Sequence, residues 1–294
     1  MENSLLKRFA DYYAATNTDA CIVYGHLWVQ YNRMVVPVGP TEIDYDLSDQ
    51  TARILLKRFP RALFLRTQNG CSPAHPPGPW YAVVCRNFTD LPDLSSNTRS
   101  KVRRGLNKCS VERVSSRFIA ENGFEVYAAA YNNYKHVGKL RISKAQFSMS
   151  IDRTASYDDI IHYWGIIANK RLIGYAVNHV YEDIEVNYST IKFHPEHLKL
   201  YPSYALFYEM NRYYLQESNV KSVNDGFRNI LHTTNIQDFL IDKFAFEKAY
   251  SHLKLVYKPW VSACMNLARP FNQMLNNLSP KVSALLTLDT IATE

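Results

Sequence analysis

The sequence predicts an α/β (α+β) fold, a mixed and largely antiparallel sheet flanked by helices. Three observations carry this. The segments DIIHYWGIIA, LIGYAVNHVYED and IEVNYSTIKF follow one another at hairpin spacing, the first two joined through Asn169-Lys170-Arg171, which reads as an antiparallel meander. SYALFYEMNRYYLQE then places Leu206, Phe207, Met210 and Tyr214 at the i, i+1, i+4, i+8 positions of a buried helical face. KSVNDG returns as a strand beside the meander, and a second amphipathic helix follows with Ile236, Phe239, Leu240 and Phe244 on its inner face.

Length and composition set the limits. The chain has 294 residues, enough for one large domain or two halves, and its 47% hydrophobic and 21% charged content is that of a globular protein. Lys and Arg exceed Asp and Glu by 34 − 27 = 7. That excess fits either a merely basic surface or anionic partners such as phosphates, nucleic acid or acidic lipid. No run of about 18 apolar residues spans a bilayer, and MENSLLKRFADYYAA lacks the apolar core of a signal peptide, so a cytoplasmic location is expected. The five cysteines form no CxxC pair, so neither a zinc site nor a disulfide framework is signalled. Cys109 follows a basic run able to lower a thiol pKa, against which stands an ordinary buried cysteine.

The elements before the meander read in order. A short helix leads into the aromatic strand region CIVYGHLWVQYNRMVVPVGP, and DQTARILLKRFP brings Ala52, Ile54, Leu55 and Phe59 near helical spacing ahead of the strand ALFLR. GCSPAHPPGP is a loop, because proline lacks an amide donor and restricts its predecessor, and WYAVVCRNF resumes as a strand. LSSNTRSKVRRGLNKC puts Val102 and Leu106 on one stripe and leaves Arg99, Lys101, Arg103, Arg104 and Lys108 around it, either as a solvated face or as a phosphate-binding edge. Two further helical stretches, NGFEVYAAAYNNYKH and Ile142 to Ile151, complete the run. The tail from VSACMNLARP onward reads as helices broken at Pro270 and Pro280.

The stretch VNDGFRNILHTTNIQDFLIDKFAFEKAY concentrates the polar groups. Thr234 and Gln237 have capping-box spacing, and Asp238 adds charge in the first helical turn. Asp225, Arg228, His232 and Asn235 are left over, between a strand end and a helix start, where α/β sheets commonly bind ligands, and an Asp225–Arg228 pair would fix that loop.

The order strand-strand-strand-helix-strand-helix, with NxxxxxxxKFAF from Asn235 at its end, resembles the GNAT acyltransferase superfamily, closest to its FemAB/FemX-like branch. The basic segment SSNTRSKVRRGL and the DG turn belong to the same likeness, while Ala245 stands where that pattern usually has glycine. The resemblance implies a GNAT-like transferase core at 94–260, an N-terminal α/β half at 1–93, open to being a related companion, and a helical appendage at 261–294. It implies transfer of an acyl or aminoacyl group to an amine-bearing acceptor. A base would then come from Glu185 first and His232 second, with Tyr188 on the same strand as Glu185. Ser203, Tyr204 and Asn235 would bind the cofactor, and Asp225, Arg228, Arg103 and Arg104 the substrate.

One departure bears on the donor. Acyl-CoA-dependent members cradle pyrophosphate on a glycine-rich turn, yet HPEHLKLYPSYALF has no glycine between His194 and Phe207. The polyanionic donor therefore stays open between acyl-CoA and an aminoacyl-tRNA. A non-catalytic protein binding a phosphorylated or anionic partner is the alternative. An open polar cleft from Ser203 to Asp225 favours the enzyme, and aromatic filling favours the binder.

Overall fold

The computed structural model describes residues 3–133, 142–230, 235–275 and 279–294. In chain order the elements are α1 (Asn3–Ala15), β1 (Ala20–Val23), β2 (His26–Tyr31), β3 (Met34–Val38), α2 (Asp49–Lys57), β4 (Phe64–Gln68), β5 (Tyr81–Cys85) and α3 (Ser96–Lys108). Next come β6 (Ser110–Val114), α4 (Ser116–Asn122), α5 (Phe124–Asn132), α6 (Lys144–Asp152), β7 (Ile161–Ala168), β8 (Arg171–Tyr181), β9 (Glu185–Phe193) and α7 (Pro202–Asn211). The chain ends with β10 (Ser222–Phe227), α8 (Ile236–Phe244), β11 (Glu247–Tyr250), β12 (Leu253–Tyr257), α9 (Pro259–Ala268), α10 (Asn272–Leu275) and α11 (Pro280–Thr293). The strands form two sheets, ordered β1-β2-β3-β4-β12 and β11-β5-β10-β9-β8-β7-β6.

Two compact units result, and neither is continuous in sequence. The first comprises Met1–Val83, Phe227–Gln237 and Lys248–Glu294, the second Val84–Gly226 and Asp238–Glu247. The bounds expected at 93/94 and 260/261 differ from these because the C-terminal segment belongs to the first unit. There β12 pairs antiparallel with β4 from Leu253↔Gln68 to Tyr257↔Phe64, and α11 buries Leu288 and Ile291 beside Trp80 and Leu253. Each such side chain contributes about 1.5–3 kcal/mol. The tail read as an appendage is thus core, although Trp260, Leu267, Phe271 and Met274 remain exposed. In the same unit α2 buries Ala52, Leu55 and Leu56, while Ile54 faces outward.

In the second unit the meander forms as expected, β7 with β8 and β8 with β9 antiparallel. β6 extends it beyond β7. β10 joins β9 in parallel, with Val223 opposite Val186. Leu206, Phe207, Met210 and Tyr214 are all buried, but the helix changes pitch after Asn211 and continues as a π-helical turn from Arg212 to Glu217. Among the described residues no helix is long and apolar enough to cross a membrane, and no group of three His, Cys, Asp or Glu is placed to hold a metal. Burial pushes the Cys109 thiol pKa up despite neighbouring Lys108, which argues against a reactive thiolate.

Candidate active site

The ladder between β9 and β10 holds Glu185 against Ser222, Val186 against Val223 and Asn187 against Asn224. β9 then continues to Phe193 and β10 to Phe227 with no further rung between them among the described residues. The other neighbour of β9 shows why. Val177 of β8 faces Thr190 while His179 faces Asn187, so Tyr188 and Ser189 together oppose Asn178 alone. An extra residue in one strand is a β-bulge, which bends that strand and increases its local twist. It begins at the residue after the last rung, so bulge and parting coincide.

Asn224 sits at the fork. Its Oδ1 accepts from the Gly226 backbone N–H at 2.8 Å and from the Asn187 side-chain amide. A backbone N–H can only donate, so the orientation of the Asn224 amide is set. Gly226, at φ +79, makes the left-handed turn that brings this N–H back. The Asn224 Nδ2 that remains is buried and has no acceptor. Such a donor costs about 1–3 kcal/mol, and a carbonyl oxygen would satisfy it. The next rung position on β9 is Tyr188, whose hydroxyl donates to Asn211 Oδ1 of α7 at 2.8 Å. Burial raises its phenol pKa well above the ordinary range, so it stays protonated and acts as a donor rather than a base.

Glu185 lies at the closed end of the ladder, 1% exposed, where it accepts from Ser222 Oγ at 3.3 Å. It is inside the paired sheet and not at the fork. His232 and Thr234 lie outside the described residues. Asp225 belongs to the second unit, Arg228 and Asn235 to the first. Asn235 is exposed just before α8. The Asp225–Arg228 pair expected from sequence would join residues of different units. Arg228 Nη1 donates to the Pro79 carbonyl at 2.8 Å, because its backbone N–H already bonds Tyr81 O and carries the side chain alongside that segment.

After β9 a 3-10 turn, Pro195–Leu200, leads to Tyr201, which takes the left-handed conformation (φ 62) in the loop where the resemblance would place glycine. α7 starts at once with Pro202 and the half-buried Ser203. α3 lies hard against this turn: a Cβ on Gly105 would stand 2.7 Å from the Tyr201 carbonyl oxygen. Lys101 Nζ donates to Tyr204 Oη at 3.4 Å, and the Lys108 ammonium lies 6.0 Å from the centre of the Tyr201 ring. The cations at the first turn of α7 are therefore Lys101 and Lys108. Arg103 and Arg104 stand on exposed positions of the same helix without an ion pair among the described residues.

Tyr204 meets Phe239 edge-on with centroids 5.0 Å apart, and Phe207 and Phe244 complete an aromatic layer joining α7 to α8. With a tyrosine at the left-handed position, aromatic rings beyond it and α3 against its carbonyl, the turn does not fit a pyrophosphate cradled on backbone amides. A second buried polar group escaped sequence reasoning. Tyr214 Oη accepts from Trp164 Nε1 at 2.9 Å and Asn178 Nδ2 at 3.3 Å, and its one proton goes to His162 Nδ1 at 3.0 Å. His162 is correspondingly neutral, its pKa lowered to about 3 chiefly by burial. Tyr214 reads as plain core by its helical spacing, and nothing local marks the π-turn that aims its hydroxyl.

Solved structures resemble this arrangement. The C-terminal domain (DUF2156) of a putative lysylphosphatidylglycerol synthetase from Agrobacterium fabrum matches with a TM-score of 0.50 at 14% identity, over 88% of this chain and 90% of that one. FemX matches with a TM-score of 0.50 at 10% identity, over 82% and 88% respectively. A GCN5-related N-acetyltransferase-like protein from Streptococcus suis matches at a TM-score of 0.40 and 12% identity, over 87% and 99%. At these identities the likeness to the synthetase domain and to FemX is one of fold alone. No protein-family model and no curated protein matches the sequence.

Proposed function

We propose that this protein transfers an acyl or aminoacyl group to an amine at the fork between β9 and β10. The observation that supports it most is the buried, unpartnered Nδ2–H of Asn224 at the point where a bulge separates two parallel strands. In this reading the amine attacks the carbonyl of the donor and the developing oxyanion takes the Asn224 hydrogen bond, a contact that strengthens as charge forms. Asp225, the first β10 residue past the ladder, holds the amine, receives its proton as the C–N bond forms, and passes it to the donor's ester oxygen or thiolate as that bond breaks. Tyr188 and Asn211 hold the bulged strand in place.

For the donor, the poor fit of the α7 turn to coenzyme A favours a polyanion gripped by side-chain charge, such as the acceptor arm of an aminoacyl-tRNA. Lys101, Lys108, Arg103 and Arg104 are the residues that would grip it. The aromatic layer of Tyr204, Phe207, Phe239 and Phe244 favours the second reading, a non-catalytic binder of an anionic partner.

Calorimetric titration with acetyl-CoA, a longer acyl-CoA and aminoacyl-tRNA, at low and moderate salt, separates these readings. The expected result is tRNA binding that weakens with salt and is lost in Lys101→Ala/Lys108→Ala. Asn224→Ala should then retain binding and lose transfer by about 10²–10³. Tight acyl-CoA binding insensitive to salt would show that the turn before α7 holds phosphate without glycine. Failure of all three ligands at low salt would favour the binder.

A further inference from the structure

Away from the fork and wholly within the first unit, β4 carries a half-buried cation with no counter-ion among the described residues. Among the described residues eight buried side-chain N or O atoms lack a hydrogen-bond partner, and three of them, Arg66 Nε, Gln68 Oε1 and Trp80 Nε1, gather in one place. Side chains two apart on a strand share a face. Arg66 stands opposite Leu255 and Gln68 opposite Leu253, and both leucines belong to the apolar cluster of Trp80, Leu288 and Ile291. The guanidinium carbon lies 5.3 Å from the Trp80 ring centre and 5.8 Å from that of Phe227, which stacks on Trp80 with a 9° interplanar angle. No hydrogen bond or ion pair engages Arg66 among the described residues. Burial lowers its pKa to about 10, which leaves it charged at neutral pH.

Native interiors rarely cluster buried polar atoms that lack hydrogen-bond partners. Ring faces attract a guanidinium but offer its N–H groups no in-plane acceptor. We infer that Arg66, Trp80 and Gln68 form a binding site for a small oxyanion, a carboxylate or phosphate group, with an O–H or N–H beside it. The oxyanion accepts from the Arg66 guanidinium and from the Trp80 indole N–H, and the adjacent O–H or N–H donates to Gln68 Oε1. Glycolate, glycine and hydrogen phosphate carry this pattern, whereas acetate lacks the second donor. The site does not depend on the transferase reading.

The test uses the full chain and these four compounds as probes, at constant ionic strength against chloride. Thermal melts should rise with glycolate, glycine or hydrogen phosphate at millimolar concentrations, and less with acetate; which of the three acts distinguishes a carboxylate ligand from a phosphate. The chain has four tryptophans, so its indole N–H resonances are few. The one that disappears in Trp80→Phe should move on titration in the wild type. Trp80→Phe, which keeps a ring and removes the N–H, should weaken binding about tenfold. Arg66→Met should abolish the melt shift while leaving the ligand-free protein at least as stable. A shift that persists in Arg66→Met would place the anion elsewhere and overturn the proposal. So would a motionless Trp80 resonance, or an Arg66→Met protein that is destabilised while no probe binds the wild type, which would reduce Arg66 to a cation held by two rings.

Discussion

The second unit and the first each bury polar side-chain atoms in an otherwise apolar setting, and the two groups differ in how they are completed. Around Tyr214 one hydroxyl is shared among Trp164, Asn178 and His162, leaving only Asn178 Oδ1 over. Around Arg66, three polar side chains face the same space and none bonds another. A polar group whose hydrogen bonds close on themselves stiffens a core; one whose bonds stay open waits for something outside the chain. The Asn224 amide stands between these cases, with its oxygen doubly engaged and its nitrogen free of any acceptor.

The sharpest way to break this contrast is to remove the centre of the closed group. Tyr214→Phe strands the Trp164 indole N–H and the His162 imidazole nitrogen and leaves the Asn178 amide N–H only the Met210 sulfur, and it should cost about 3 kcal/mol in denaturant unfolding. A cost near zero, the value expected for Arg66→Met, would erase the distinction between the groups.

The same question applies to the backbone, where Gly105 is fully enclosed and Ala245 is not. Gly105→Ala would drive a methyl against the Tyr201 carbonyl and should lower stability by about 2 kcal/mol, because α3 must move off α7. Weakened binding of a polyanion in the same variant would tie that packing to Lys101 and Lys108.

Protonation gives a finer test. The folded pKa of His162, about 3, lies below its ordinary 6.5, so the unfolded chain binds the proton more readily between those values. Its contribution to stability is complete above pH 6.5 and is lost as the pH falls toward 3, with a slope of up to about 1.4 kcal/mol per pH unit. His162→Gln, which can still accept from Tyr214, should remove that slope. His179, lowered to about 4 by burial, keeps its own. A slope unchanged in the variant would mean that His162 does not titrate as a buried neutral base.

The smallest effect is expected at Ala245. This exposed residue holds a left-handed backbone (φ 55) as α8 ends, where the Phe246 N–H turns back to Leu240 O. Glycine adopts that conformation without the steric cost to Cβ, so Ala245→Gly should stabilise the protein by about 1 kcal/mol in unfolding titrations. No gain would mean that the strain is already relieved by its neighbours.

Local alternation and helical spacing sufficed to read β7, β8, β9, α7 and α8 from the chain, because each pattern repeats within a few residues. The sequence reads β10 as ending at Asp225, since NDG closes an apolar run, whereas the strand continues to Phe227. SVERV and LKLVY were not read as strands: β6 and β12 are short, and only their partners β7 and β4 make them strands. Glu185 and Tyr188 were assigned as a base and its neighbour on one strand, but a strand's alternation does not reveal where a ladder closes or opens.

What the sequence by itself determined is therefore the meander, the two helices that follow it, the place of β10 beside β9, and the basic face of α3, all set by spacing and charge along the chain. Tertiary structure alone decided the rest. The bulge at Tyr188 and Ser189 depends on how β9 lies against β8, and it opens the fork that leaves the Asn224 Nδ2 without an acceptor. The return of β12 and α11 to the first sheet brings Leu253 and Leu288 beside Trp80, whose ring lies under the Arg66 guanidinium. Hydrogen-bond satisfaction is a property of what surrounds an atom in three dimensions, and the neighbours of Asn224 and Arg66 come from segments that lie far apart in the chain.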